Sequence, residues 1–232
     1  MDKSLTGSRL IAQDAVPMDI RRLATSYQPD NAIIFELGIE ARPGNKDIML
    51  NYKAVKVING ITNHNNFLSK MKILINNDFG NIGNKPVKRD RDNNAGNNNN
   101  RTKDTRLSIQ WPVDQLKYVV IKLDYDRNWQ FASDGNSHPF MIHKSDQGED
   151  RFFDAIRFSE LGEPVASGEQ KDGCKFAAFI VNGAKLAKDT SNHFQHRFNI
   201  LVDILEMNGS QIDNRIPIII DPDVRNPGGG GS

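Results

Sequence analysis

The longest run of alternating apolar positions lies at Phe198-Asn-Ile-Leu-Val-Asp-Ile-Leu-Glu-Met207. Phe198, Ile200, Val202 and Ile204 fall on one face, the period of two that marks a half-buried strand. Leu201 and Leu205 make the opposite face partly apolar, which predicts a central strand covered on both sides. The same pattern predicts strands at Ile33–Ala41, Ile48–Ile58, Tyr118–Tyr125, Phe152–Phe158 and Cys174–Val181. Shorter ones are expected at Leu107–Trp111, around Trp129 and Phe131, and at Pro139–Ile142. Phe67-Leu-Ser-Lys-Met-Lys-Ile-Leu-Ile75 fits either a strand or a helix; the run Ile73-Leu-Ile75 in an otherwise extended chain favours a strand.

Turn residues separate these segments: Pro43-Gly44, Asn59-Gly60, Asn182-Gly183 and Asn208-Gly209. The last predicted strand, Ile216–Ile220, contains Pro217, which lacks an amide donor and suits a sheet edge. Eight to ten strands with little helix predict an all-β, two-layer antiparallel sandwich in one domain over residues 31–222. Residues 1–30 read as an N-terminal arm, with a short helix near Asp19–Tyr27 carrying Ile20, Leu23 and Tyr27 on one side. Residues 77–106 read as a long exposed Asn-rich loop, because they hold too little apolar matter to offset ordering entropy. Residues 223–232 read as a tail ending in an appended Gly-Ser linker.

Composition narrows the partners. A formal net charge of +1 argues against a uniformly basic nucleic-acid binder. The single cysteine, Cys174, excludes an internal disulfide, suits a reducing cytosol, and is expected to be buried and inert. The first residues lack a signal-peptide core and no run reaches transmembrane length, so a cytoplasmic protein without membrane contact is expected.

Candidate chemistry is sparse. Asp124, Asp126, Asp134 and Asn136 lie in neighbouring loops that could gather oxygens for Ca²⁺ or, beside Trp129, hold a sugar; such clusters more often only make turns. Between Lys85 and Arg106 seven Lys or Arg stand against three Asp. Lys88, Arg89, Arg91, Arg101 and Lys103 could therefore contact phosphate, although no aromatic residue is interleaved to stack bases. His193/His196 and His138/His143 have spacings that oppose shared metal ligation on extended chain, and no zinc pattern accompanies them. Glu160, Glu163 and Glu169 cannot be matched as acid and base from spacing alone. No P-loop, nucleophile elbow or dinucleotide fingerprint occurs, so neither a catalytic centre nor a cofactor is expected.

Phe198-Asn-Ile-Leu-Val-Asp, followed by Ile218-Ile-Ile-Asp-Pro-Asp-Val-Arg-Asn-Pro227, resembles the closing strands of the bacterial AidA/PixA-like inclusion-body proteins. That resemblance covers about the last thirty residues and implies a cytoplasmic, self-associating, non-enzymatic sandwich. With it, the expected function is self-assembly into a homo-oligomer, or binding of another protein, through edge strands and terminal segments. Ile20, Leu23, Tyr27, Asp221 and Val224 are the expected contact residues. The alternatives are a small-ligand module for a sugar or Ca²⁺, and nucleic-acid binding through the basic loop.

Overall fold

A computed structural model describes residues 15–18, 29–41, 48–82, 108–110, 116–125, 128–133, 138–143, 152–166, 168–182, 196–220 and 223–225. The chain is an all-β, sandwich-like fold of two sheets with one helix among the described residues. In order come β1 (Ala15–Pro17), β2 (Asn31–Ala41), β3 (Ile48–Asn59), α1 (His64–Ile82), β4 (Ser108–Gln110), β5 (Leu116–Leu123) and β6 (Trp129–Phe131). Then follow β7 (Phe140–His143), β8 (Phe152–Phe158), β9 (Pro164–Val165), β10 (Phe176–Asn182), β11 (His196–Asn208), β12 (Gln211–Ile220) and β13 (Asp223–Arg225).

One sheet runs β1-β7-β11-β13-β4, with β6 and β12 also paired to β11; the other runs β3-β2-β5-β10-β8-β9. Neighbours are antiparallel except β2 with β5 and β13 with β4, which are parallel. The strand picked out by its alternation, β11, pairs with β6, β7, β12 and β13. Phe198, Ile200 and Val202 from β11 meet Val119, Ile121, Ala177 and Phe179 from the facing sheet in one core. Leu201 is buried on the outer face of its sheet with Ala132 and Met141, so β11 is covered on both sides. Full burial of such side chains is worth roughly 1.5–3 kcal/mol each.

Among the described residues β12 has β11 as its sole partner, and Pro217 sits there opposite Asp203. An edge tolerates the missing donor. Asn208 pairs with Gln211 across a tight turn in which Gly209 takes φ +65°, a conformation open to glycine without steric cost.

Phe67–Ile75 is a correction: it is helix, not strand. Phe67, Met71 and Ile75 recur every four residues and are fully buried, while Lys72 and Ile73 between them face solvent. That is the helical period, and it outweighs the local β-branched run. Asn63 caps the start by accepting the Asn66 amide at 2.8 Å. The helix continues to Ile82, so the first residues of the expected loop are helical; 83–107, including most of the Asn-rich stretch, lie outside the described residues. The segment expected to form an N-terminal helix, Asp19–Tyr27, lies wholly outside them too, whereas Ala15–Pro17 adds a strand beside β7.

The helix lies on the outer face of the second sheet. Phe67, Met71 and Ile75 pack there on Ala32, Ile34, Tyr118, Val120, Phe176, Ala178 and Ile180, making a second core separate from the sandwich interior. Phe67 stacks on Tyr118 with ring centroids 3.7 Å apart. No described helix is long and apolar enough to cross a membrane, a statement that does not extend to strands.

Candidate active site

Strand register sets out the outer face of the second sheet in rows. Ala32, Tyr118 and Ile180 form one row, Ile34, Val120 and Ala178 the next, and Glu36, Lys122 and Phe176 the third. The first two rows are apolar apart from the Tyr118 hydroxyl and lie under α1. The third carries opposite charges on adjacent strands, near the C-terminal half of the helix. A cleft of about 260 Å³ opens there. Ile34, Val55, Leu74 and Phe176 give it apolar walls, while Glu36, Lys56, Asn77, Asp78 and Lys122 supply its polar groups.

Lys122 is the hub. Its Nζ lies 3.1 Å from Glu36 Oε2 and 2.7 Å from Asp78 Oδ2, and its side chain is only 13% exposed. The ammonium also sits 4.9 Å from the centre of the Tyr125 ring. Tyr125 donates its hydroxyl to Asp78 Oδ2 at 3.0 Å. Burial first, then the Asp78 charge and hydrogen bond, push the Tyr125 phenol far above its ordinary value, so it remains a donor.

On the other flank, Lys175 Nζ lies 5.9 Å from the same ring centre and 3.4 Å from the Asp124 carbonyl oxygen. Burial holds the Lys175 ammonium down at about 8, although Asp124 and Glu160 pull the other way. The arrangement thus offers two carboxylates, clustered ammonium groups and one fixed phenol beside an aromatic wall. Ammonium groups complement phosphate oxygens, and carboxylates complement a cation or amide and hydroxyl donors.

A second polar group lies at the other end of α1. His64 Nδ1 is 3.2 Å from the Tyr118 hydroxyl and 3.4 Å from Asp154 Oδ2. Burial, with the Asp154 charge second, raises the Tyr118 phenol well above its usual range. Asp154 has φ +60°, in the left-handed region, where the pairing of β8 with β10 slips between Ala178 and Ile180.

A third network ties the sandwich ends together. Gln130, fully buried, donates to Ser133 Oγ at 3.1 Å and Asp172 Oδ1 at 3.0 Å, and accepts the Gly173 amide at 2.8 Å. Arg215 donates to Ser133 Oγ and, at 2.8 Å, to Asp172 Oδ2. Burial works to raise the Asp172 carboxyl, but the Gln130 and Arg215 interactions prevail and hold it below its usual range. Arg157, 3% exposed, donates to the carbonyls of Ala132 and Glu169, joining the two sheets. This network has its buried end at Gln130 and Arg157 and its solvent-facing end at the Arg215–Asp172 pair.

The residues singled out by sequence are dispersed. Asp124 is described: its carbonyl and Oδ1 accept the Trp129 indole N–H at 3.0 and 3.1 Å. Asp126, Asp134 and Asn136, and all of Lys88, Arg89, Arg91, Arg101 and Lys103, lie outside the described residues, as do Ile20, Leu23, Tyr27 and Asp221. Val224 lies in β13, opposite His196. Among the described residues no group of three or more His, Cys, Asp or Glu is placed to hold a metal ion.

His138 is half-buried, and burial followed by the Arg157 charge lowers its imidazole pKa. Glu163 pairs with Lys72, while Glu169 accepts the Ala166 amide at 3.3 Å, so these two glutamates have separate local partners. Cys174 is fully buried, and burial raises its thiol to about 11.

Glu36, Asp78, Lys122, Tyr125 and Lys175 were not anticipated. The available signal was a charge set inside the apolar run of each strand, Glu36 in β2 and Lys122 in β5, while the second charge of each strand, Glu40 and Lys117, lies near its end. It carries weight only once a helix is known to cover that face.

A family model described as a predicted novel nucleotide synthetase matches residues 13–229. No curated protein matches the chain significantly. The family match overturns three expectations: the AidA/PixA-like resemblance, a non-enzymatic character, and self-assembly as the function. The resemblance rested on about thirty residues with an Asp-Pro step common after strands, whereas the family match spans nearly the whole chain. The chain belongs to the pNTSase1 family, the predicted novel nucleotide synthetases.

Proposed function

We propose that the protein is a nucleotide synthetase that holds its nucleotide in the cleft between the C-terminal half of α1 and strands β2, β3, β5 and β10. The observation that carries this reading is the row Glu36–Lys122–Phe176, which sets charges of both signs beside an aromatic wall in a cleft that also has aliphatic lining. Small-molecule sites commonly combine apolar walls with a few convergent polar groups. A volume of about 260 Å³ accommodates the nucleoside part and leaves a phosphate chain at the open end. Lys56 and Lys122 are suited to phosphate oxygens, and Glu36 and Asp78 to a divalent cation arriving with the nucleotide or to donors on its base.

In this reading Lys122 exchanges one carboxylate partner for phosphate when the nucleotide enters. Tyr125 keeps Asp78 in place during that exchange. The protein is to be incubated with each of the four common nucleoside triphosphates and Mg²⁺, with binding followed by calorimetry and products by chromatography and mass spectrometry. Turnover of at least one is expected, with Lys122→Met and Asp78→Asn each slowing it at least tenfold, while circular dichroism keeps its strand signature. Absence of both binding and product with all four would overturn the reading. Wild-type turnover in both variants would remove the cleft as the site.

A further inference from the structure

We infer a second nucleoside locus at the start of α1, where His64 accepts a hydrogen bond from a ribose hydroxyl and Asp154 and Tyr118 hold its ring. The choice of a ribosyl ligand rests on the synthetase reading; the locus itself rests on separate geometry. Tyr118 and Lys122 are four residues apart on one face of β5, about 13 Å of strand. The His64 group is therefore distinct from the cleft.

Three observations converge there. The Asp154 carboxylate and the Tyr118 hydroxyl both address Nδ1, at 3.4 and 3.2 Å. When Nδ1 carries the proton, facing the Tyr118 oxygen and the Asp154 carboxylate, Nε2 has its lone pair available on the opposite edge of the imidazole. The His64 side chain is 24% exposed and that of Asp154 14%, so the ring meets solvent while its orienting carboxylate is largely covered.

The second observation is the bulge. Between the pairs Ile156–Ala178 and Phe153–Ile180, β8 carries one residue more than β10. Bulges re-aim side chains and are common beside functional sites. Glycine would occupy φ +60° at less cost, yet the position carries a carboxylate that reaches His64.

The third is composition. His64 lies within Asn63-His64-Asn65-Asn66, a stretch with amide side chains and no ionised one. Amides and an imidazole lone pair match hydroxyl groups, which both donate and accept, better than they match a fully ionised group. Asp154 is a positioning residue here, since it acts through the ring.

The test uses the full chain, with adenosine and adenosine triphosphate plus Mg²⁺ as probes. Diethyl pyrocarbonate acylates imidazole nitrogen, and peptide mass mapping reads each of the five histidines separately. Saturating adenosine is expected to slow acylation of His64 at least fivefold and to leave the other four unchanged, with two nucleosides bound per chain by calorimetry. Asp154→Asn keeps a residue that tolerates φ +60° but removes the charge. It is expected to acylate at His64 several-fold more slowly than wild type at an unchanged melting temperature.

If a probe binds while His64 reacts at its ligand-free rate, this inference falls and the cleft stands. One nucleoside per chain with His64 protected keeps this locus and removes the cleft. If neither probe binds, both fall. A lowered melting temperature in Asp154→Asn with unaltered acylation would reduce the trio to an anchor for α1, and adenosine protection of the wild-type ring decides the matter should that variant fail to fold.

Discussion

Lys175 shows how one side chain can carry a cost that sequence does not reveal. Its position just before β10 reads as a routine charged strand end, yet folding buries it beside Tyr125 and holds its pKa at about 8, against an ordinary 10.5. The unfolded chain therefore holds this proton more tightly than the folded one. Below pH 8 both states are protonated and the burial cost is present in full. Between pH 8 and 10.5 the folded state has released its proton while the unfolded state has not, so this group's contribution to stability rises with pH across that window. The full effect is at most about 3 kcal/mol. Lys175→Met keeps much of the length and removes the charge. Denaturant unfolding should find the variant more stable than wild type at pH 7, with the gap closing by pH 10. Parallel pH profiles for the two proteins would show that burial of this ammonium costs nothing.

Among the elements, α1 depends on how closely β-sheet connections approach it. Gly162, between β8 and β9, has φ +72°, and a Cβ added there would lie 2.6 Å from the Lys72 Cα in the middle of the helix. Gly60, after β3, has φ +67° with nothing within 4 Å of that position. Both glycines satisfy a left-handed backbone, so Gly60→Ala should cost about 1–2 kcal/mol, the conformational penalty alone. Gly162→Ala adds a backbone clash that must push α1 off the sheet, and should cost at least about 2 kcal/mol more. Chemical denaturation of the two variants tests this; equal losses would mean that the helix is not held against that turn. The contrast also marks what was legible in sequence. Phe198, Ile200 and Val202 declared β11 because its alternation is long and both its faces are apolar. Phe67, Met71 and Ile75 carried an equally regular period of four, masked by the β-branched residues among Ile73, Leu74 and Ile75. The three residues of β1 and the two of β9 are too few to carry any period. The cleft was hidden for a different reason: Glu36, Asp78 and Lys122 are far apart in sequence, and only parallel register between β2 and β5, plus a helix read as helix, brings them together.

At the scale of the whole molecule, the two larger hydrophobic cores among the described residues share the second sheet. Val119, Ile121, Ala177 and Phe179 face the sandwich interior, while Tyr118, Val120, Phe176 and Ala178 face α1. The sheet cannot separate without exposing both, but α1 can lift while exposing only the outer one. Regions with a smaller buried contact area open at lower free energy than the global transition. Amide hydrogen exchange should therefore divide the chain into two classes. Protons of β5, β10 and the central part of β11 should exchange only through global unfolding, with a strong dependence on denaturant. Those in the middle of α1, around Met71 and Ile75, should exchange through a smaller opening, with a shallower dependence. A nucleotide seated against Leu74, Asn77 and Asp78 must be released before the helix lifts, so saturating nucleotide should slow exchange in α1 by a factor that grows with its concentration. The β11 amides would follow only as far as global stability rises. Equal protection of α1 and β11 without ligand would show that the two cores melt as one unit. Nucleotide binding that leaves α1 exchange unchanged would mean that the ligand does not engage this helix, separating the sandwich as scaffold from the proposed chemistry on its outer face.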